Sequence, residues 1–176
     1  MDELKSLQAE FRKPVTALGR RVAWIIAVII LFDQATKAGV LYGLNLALYE
    51  QVKILPFFSL SMVHNEGISF GLLGSGGVMR WLLTLFQLGV AGLLTWLVLR
   101  AVKPMPGIAF ALIAGGAIGN AIDRIRFGYV VDFLDFSGLF FPWVFNIADS
   151  AICIGIALLV WHFYRTERAA KSAAEG

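Results

Sequence analysis

The chain has 176 residues, of which 59% are hydrophobic and only 15% charged, a balance that excludes a soluble domain built around one core. Its net charge of +3 is gathered in short flanks of the apolar runs, which speaks for topology and contact with membrane phospholipid and against a nucleic-acid partner. One cysteine, Cys153, excludes an internal disulfide, and its place within an apolar run predicts a small apolar packing residue.

In chain order, residues 1–21 are too polar for a secretory signal and the apolar run after them lacks a cleavage site. The run is therefore expected to remain as an uncleaved anchor, preceded by a surface helix. Residues 22–42 form the first predicted span, interrupted by Asp33 and Lys37, an i, i+4 pair in which each charge offsets the burial of the other. Residues 43–80 follow as a segment outside the bilayer. Within it, residues 52–63 mix β-branched and aromatic side chains with partial alternation, predicting short strands. Residues 74–77, Gly-Ser-Gly-Gly, make a flexible break.

Residues 81–99 and 104–122 are each 19 residues without a formal charge, close to the roughly 20 needed to cross about 30 Å of hydrocarbon. Pro104 and Pro106 mark the tight turn between these two spans. Gly107, Ala111, Gly115 and Gly119 recur every four residues and give the third span a small-residue face for close helix packing. Residues 123–142 form the second outside segment, where residues 129–136 favour a strand with Asp132 and Asp135 on opposite faces. Residues 143–164, with Asp149 near their start, complete the fourth span.

The expected fold is mainly α and polytopic: a single integral membrane domain over residues 1–176, with four transmembrane helices and a small extracytoplasmic β-sheet over the active site. Lys5, Arg12, Lys13, Arg20 and Arg21 precede span one. Arg100 and Lys103 lie between spans two and three, and Arg165, Arg168 and Lys171 follow span four. Basic flanks stay in the cytoplasm, so both termini are expected there and the chemistry at the outer face.

Four aspartates and no glutamate fall between residues 104 and 164. An ionised carboxylate at bilayer depth costs roughly 2.5–3.5 kcal/mol on insertion scales, which makes each a functional candidate. Asn120-Ala-Ile-Asp123 and Asn146-Ile-Ala-Asp149 share the spacing Asn-x-x-Asp, which puts both residues on one helix face. Asn146 and Asp149 also suit a helix cap, a purely structural reading. Asp33, Lys37, Asp123 and Arg124 read as scaffold ion pairs, with Arg124 beside Asp123. Asp132 and Asp149 have no cation adjacent in sequence. Two such carboxylates sharing one proton can hydrolyse a peptide bond, one drawing a proton from water while the other donates to the scissile carbonyl.

Other chemistries lack a signature. His64 and His162 are expected at different depths, with His64 in a surface loop, and no His-Glu-x-x-His helix supports zinc. No metal or cofactor is expected. Cys153 is more than two turns from His162, and the outer serines have no spacing signature with Lys53.

Asp33-Gln-Ala-Thr-Lys37, Asn65-Glu-Gly67 through Phe70-Gly71, Gly119-Asn120-Ala-Ile-Asp123-Arg124, Val130-Val-Asp132-Phe and Phe145-Asn146-Ile-Ala-Asp149 together resemble bacterial lipoprotein signal peptidase, the type II signal peptidase. The likeness spans residues 22–163. It implies that Asp132 and Asp149 are the catalytic dyad, that Asn65, Gly67, Asn120, Arg124 and Asn146 position dyad and substrate, and that Asp33, Lys37 and Asp123 support them. It also implies a lipid-modified prolipoprotein as substrate, cleaved just before its diacylglyceryl cysteine, globomycin-like inhibitors, and residence in the bacterial inner membrane. Ile68 and Ser69 depart from the two alanines usual in that family. Two rivals from other classes are a proton-coupled transporter, which needs acids along a continuous path, and a lipid-binding subunit without chemistry, which would tolerate Asp to Asn changes.

Overall fold

The computed structural model describes residues 14–48, 50–67 and 78–174. The glycine-rich break at 74–77, the departure at Ile68 and Ser69, and most of the polar N-terminal segment lie outside the described residues. Among the described residues, four helices are long and apolar enough to cross a membrane: α1 (Ala17–Ala38), α2 (Val78–Leu99), α3 (Pro104–Arg126) and α4 (Ile147–Ala174). A helix suits these runs because lipid offers no partner for backbone N–H and C=O groups, which must pair within the segment.

Each boundary has a local cause. Thr16 caps α1 by accepting the Gly19 N–H at 2.8 Å. Its hydroxyl donates to the Ala101 carbonyl at 2.7 Å, and its own N–H to the Leu99 carbonyl at 2.9 Å, which ties the start of α1 to the turn between α2 and α3. The helix therefore begins before residue 22. It ends in a π turn (Gly39–Gly43), where the Leu44 N–H donates to the Gly39 carbonyl at 2.9 Å. α3 runs one turn beyond residue 122 and so carries Asp123 and Arg124 on its own last turn. α4 begins at Ile147 and not at residue 143, because Val144 and Phe145 pair with a neighbouring strand and Asn146 caps the helix.

α3 is the central helix, packed against α1, α2 and α4. Its side chains Ala109, Ala111, Ala114 and Ala121 are fully buried. A Cβ on Gly115 would sit 2.9 Å from the Cβ of Ile29, and one on Gly119 2.7 Å from Asp33 Oδ2, so this part of the small-residue stripe admits α1. A second small-residue contact faces α4: a Cβ on Gly116 would collide with the Ala148 carbonyl oxygen. Lipid removes the hydrophobic drive between spans, leaving such van der Waals fit as the main cohesion. Leu31, Phe32, Phe86, Val160 and Phe163 face outward. Cys153, expected as a small apolar packing residue, is exposed on the surface of α4.

Beyond the helix ends, β1 (Gln51–Leu55), β2 (Phe58–Asn65), β3 (Val130–Asp135) and β4 (Val144–Phe145) form one antiparallel sheet in chain order. The ladder between β2 and β3 is interrupted by a bulge between Leu60 and Val63. The face of the sheet turned to the end of α1 packs Met62, Val131 and Phe133 against Val40 and Leu46. His64 is in β2, half-buried and stacked on Tyr129 with ring centroids 3.7 Å apart, and not in a surface loop as its polar neighbours suggested.

Gly116→Ala is expected to cost about 1–3 kcal/mol by overpacking the α3–α4 contact. Gly92→Ala, in a helical position where a Cβ meets nothing within 4 Å, should leave the protein unchanged or slightly stabilised. Thermal unfolding of both variants in detergent checks the contrast.

Candidate active site

Where α1, α3, the start of α4 and the sheet meet, the polar residues singled out in the sequence come together. Lys37 is 2% exposed; its ammonium donates to Asp33 Oδ2 at 2.9 Å and to Asn120 Oδ1 at 3.2 Å, and it forms an ion pair with Asp123 Oδ2 at 2.7 Å. Two hydrogen bonds and two carboxylates at contact distance compensate this buried charge. Each acceptor in turn holds another element. Asp33 Oδ1 accepts the Ala148 N–H in the first turn of α4 at 3.0 Å. Asp123 Oδ2 accepts the Val131 N–H of β3 at 3.1 Å. Asn120, with its oxygen committed to Lys37, must aim its amide nitrogen the other way, and it donates to Asp149 Oδ1 at 2.7 Å.

Asp132 lies on β3 and is 2% exposed; Asp149 lies in the first turn of α4 and is half-buried. Asn146 joins them. Its Nδ2 donates to Asp132 Oδ1 at 2.7 Å, its Oδ1 accepts the Asp149 N–H at 2.9 Å, and its N–H donates to Asp149 Oδ2 at 3.3 Å. The last two bonds are a reciprocal helix cap. Capping and positioning are thus one arrangement here, and the two readings of the sequence do not compete. The paired Asn-x-x-Asp segments act crosswise: Asn120 serves Asp149, and Asn146 reaches Asp132.

Asn65, at the end of β2, donates its amide to Asp132 Oδ2 at 2.9 Å and accepts the Gly67 N–H at 3.0 Å, with Gly67 at a φ of 99°. Burial, and next the nearby charge of Asp149, push Asp132 up to about 7, against the opposing hydrogen bonds from Asn65 and Asn146 and the charge of Lys37. Arg124 is buried, donates to Gln87 Oε1 at 3.0 Å, and lies within electrostatic reach of Asp149, Asp132 and Asp123. The expected pairing of Arg124 with adjacent Asp123 is not formed. Neighbouring residues on a helix point about 100° apart, and Asp123 turns to Lys37 instead.

Two residues absent from the sequence reading belong to this network. Gln34 donates to Asp123 Oδ1 at 2.8 Å and to Asp33 Oδ2 at 3.2 Å, and Gln87 orients Arg124. Uncharged and set in apolar helices, neither carried a signal beyond being a polar side chain at bilayer depth. Among the described residues, no group of three His, Cys, Asp or Glu side chains is placed to hold a metal ion.

Lys37→Met would leave Asp33 and Asp123 buried without their cation, an expected loss of about 3–5 kcal/mol. Adding Asp33→Asn and Asp123→Asn should recover much of it, and thermal unfolding of the single and triple variants reads both effects. Asp132 gives a second, pH-dependent expectation. Its folded pKa lies above the ordinary value, so the fold loses stability as pH rises from about 4 to about 7. Asp132→Asn should therefore be more stable than wild type at pH 8, by on the order of a few kcal/mol, with the difference vanishing near pH 4.

Residues 25–165 match the family model described as signal peptidase (SPase) II. The chain is 48% identical over 145 residues to a lipoprotein signal peptidase of Caulobacter vibrioides, covering 81% of this chain and 86% of that protein. It is 40% identical over 163 residues to a lipoprotein signal peptidase of Shewanella baltica, covering 90% and 94%. Two solved structures of a bacterial membrane enzyme, at 25% and 27% identity, each superpose with a TM-score of 0.69 and cover 87% and 86% of this chain and 92% and 96% of theirs. The chain belongs to the signal peptidase II family and is a multi-pass, lipoprotein-processing peptidase of a bacterial membrane.

Proposed function

We propose that the protein is an intramembrane aspartyl endopeptidase that removes the signal peptide of diacylglyceryl-modified prolipoproteins by cutting just before the lipid-modified cysteine. The observation that carries this reading is the pair Asp132 and Asp149, joined through Asn146, with one carboxyl held near neutrality. With its pKa at about 7, Asp132 is protonated in about half of the molecules at neutral pH, and in these Asp149 acts as the base. Asp149 takes a proton from water, the hydroxide adds to the scissile carbonyl, and Asp132 gives its proton to the developing oxyanion. Collapse of the tetrahedral intermediate then returns a proton to the leaving amine. Arg124, whose Nε has no partner among the described residues, offers a donor to a substrate carbonyl.

The depth of the site fits this substrate. The basic residues Arg20, Arg21, Arg100, Lys103, Arg165, Arg168 and Lys171 flank the helix ends away from the sheet, which supports cytoplasmic termini and a site near the outer face. Exposed Tyr42, Phe140 and Trp143 near the sheet suit the aromatic level of the outer interface. A signal helix can then lie against the spans while the lipid chains of its cysteine stay in the bilayer and fix the depth of cleavage. Membrane phospholipid surrounds the spans, and globomycin-like cyclic peptides are expected to compete with substrate at Asp132 and Asp149.

Cleavage of a diacylglyceryl prolipoprotein by folded Asp132→Asn or Asp149→Asn should fall by at least about a thousandfold. Retained turnover in both variants would contradict the reading. The wild-type rate should decline as pH rises through about 7, where Asp132 gives up the proton it must donate. A rate that stays flat from pH 6 to pH 9 would show that no such acid takes part.

A further inference from the structure

Directly opposed residues of an antiparallel pair share a face, and successive residues alternate between faces. On the near side of the β2 bulge Leu60 stands opposite Leu134; on the far side Val63 stands opposite Asp132. Ser61 and Met62 together therefore occupy the place facing Phe133. As a result Asn65 stands opposite Val130, on the face of Asp132, and reaches that carboxylate. His64 stands opposite Val131 on the other face, stacked on Tyr129. Closing the bulge by a slip of one residue would put His64 opposite Val130 and turn Asn65 away from Asp132.

The bulge is held from the side of the sheet opposite Asp132. Asp135 Oδ2 accepts the Ser61 hydroxyl at 2.5 Å and the Gln51 amide at 2.8 Å, and Oδ1 accepts the Ser137 N–H at 2.8 Å. Gln51 also donates to Ser61 Oγ at 3.1 Å, and the Met62 N–H donates to the Glu50 carbonyl at 3.0 Å, one step beyond the Gln51–Ser61 pair of the β1–β2 ladder. Burial alone would raise Asp135, but the bonds from Ser61, Ser137 and Gln51 outweigh it and hold the carboxyl at about 2. The clasp therefore stays ionised wherever the enzyme works. A bulge fixed this firmly beside a reacting group is a means of aiming a side chain.

We propose that Ser61 and Asp135, assisted by Gln51, are positioning residues whose clasp fixes the β2 bulge and so delivers Asn65, and not His64, to Asp132. The inference rests on the reading of Asp132 as a catalytic residue. Its test is the kcat, KM and pH profile of prolipoprotein cleavage by Ser61→Ala, Ser61→Thr and Asp135→Asn, beside Asn65→Ala and Asp132→Asn. Loss of the Asn65 bond to ionised Asp132 raises the pH at which the acid surrenders its proton.

Ser61→Ala and Asp135→Asn should accordingly lower kcat by about tenfold to a hundredfold with little change in KM. Both should move the alkaline limb upward as Asn65→Ala does, and Ser61→Thr, which keeps the hydroxyl, should restore both values. Should Asp135→Asn fail to fold, Ser61→Ala, which leaves two bonds on the carboxylate, decides the matter alone. A wild-type pH profile in folded Ser61→Ala, with the limb displaced in Asn65→Ala, overturns the inference and leaves the dyad standing. Cleavage by Asp132→Asn overturns the dyad and this inference with it.

Discussion

One ammonium group organises the site. Lys37 is the shared partner of Asp33, Asp123 and Asn120, and those three residues reach α4, β3 and Asp149 in turn. Two helices, a strand and one member of the carboxylate pair are thus referred to a single buried charge. The arrangement is electrostatically tense by construction: four aspartates, Asp33, Asp123, Asp132 and Asp149, face two cations, Lys37 and Arg124. Asp33 and Asp123 share the single charge of Lys37 at contact distance. Asp132 and Asp149 have no cation at contact distance among the described residues, and the burial of Asp132 beside Asp149 is relieved by a proton on Asp132. The proposed reactivity thus falls at the place where ion pairing is weakest.

Packing serves the same end. Gly119 lies where α3 meets the Asp33 carboxylate, and a Cβ there would stand 2.7 Å from Asp33 Oδ2. The small-residue stripe that lets α1 and α3 approach in the membrane therefore also makes room for the acid that anchors the first turn of α4. Helix association and site geometry are set by the same glycines. Substituting them would disturb the dyad through the backbone before any polar group was touched.

Much of this was legible in the sequence. The four spans followed from charge-free runs of bilayer length, and the strands from β-branched and aromatic residues around residue 60 and residue 132. Asp33 and Lys37 were visible as a pair because their spacing matches one helical turn. Contacts between elements were not legible. Adjacency suggested Arg124 for Asp123, whereas the folded chain gives Asp123 to Lys37, 86 positions away in sequence, and gives Arg124 to Gln87. The crosswise service of the two Asn-x-x-Asp segments depends on how α3 and α4 lie together, which no local spacing encodes. The β2 bulge was equally hidden: Ser61 and Met62 share one place in the ladder, which breaks the alternation of β2 at a single step that its mixed polar and apolar residues do not mark.

The central claim, that Asp132 and Asp149 divide one proton between them, is tested most directly by following the carboxyl carbons of the aspartates by NMR across pH 4 to 9 in nanodisc-embedded protein. The account predicts one carboxyl that titrates near 7 in wild type, is absent from Asp132→Asn, and titrates at lower pH in Asp149→Asn, where the repelling charge is gone. If every aspartate carboxyl in the wild-type protein is already ionised at pH 5, no proton is shared, and the account is wrong.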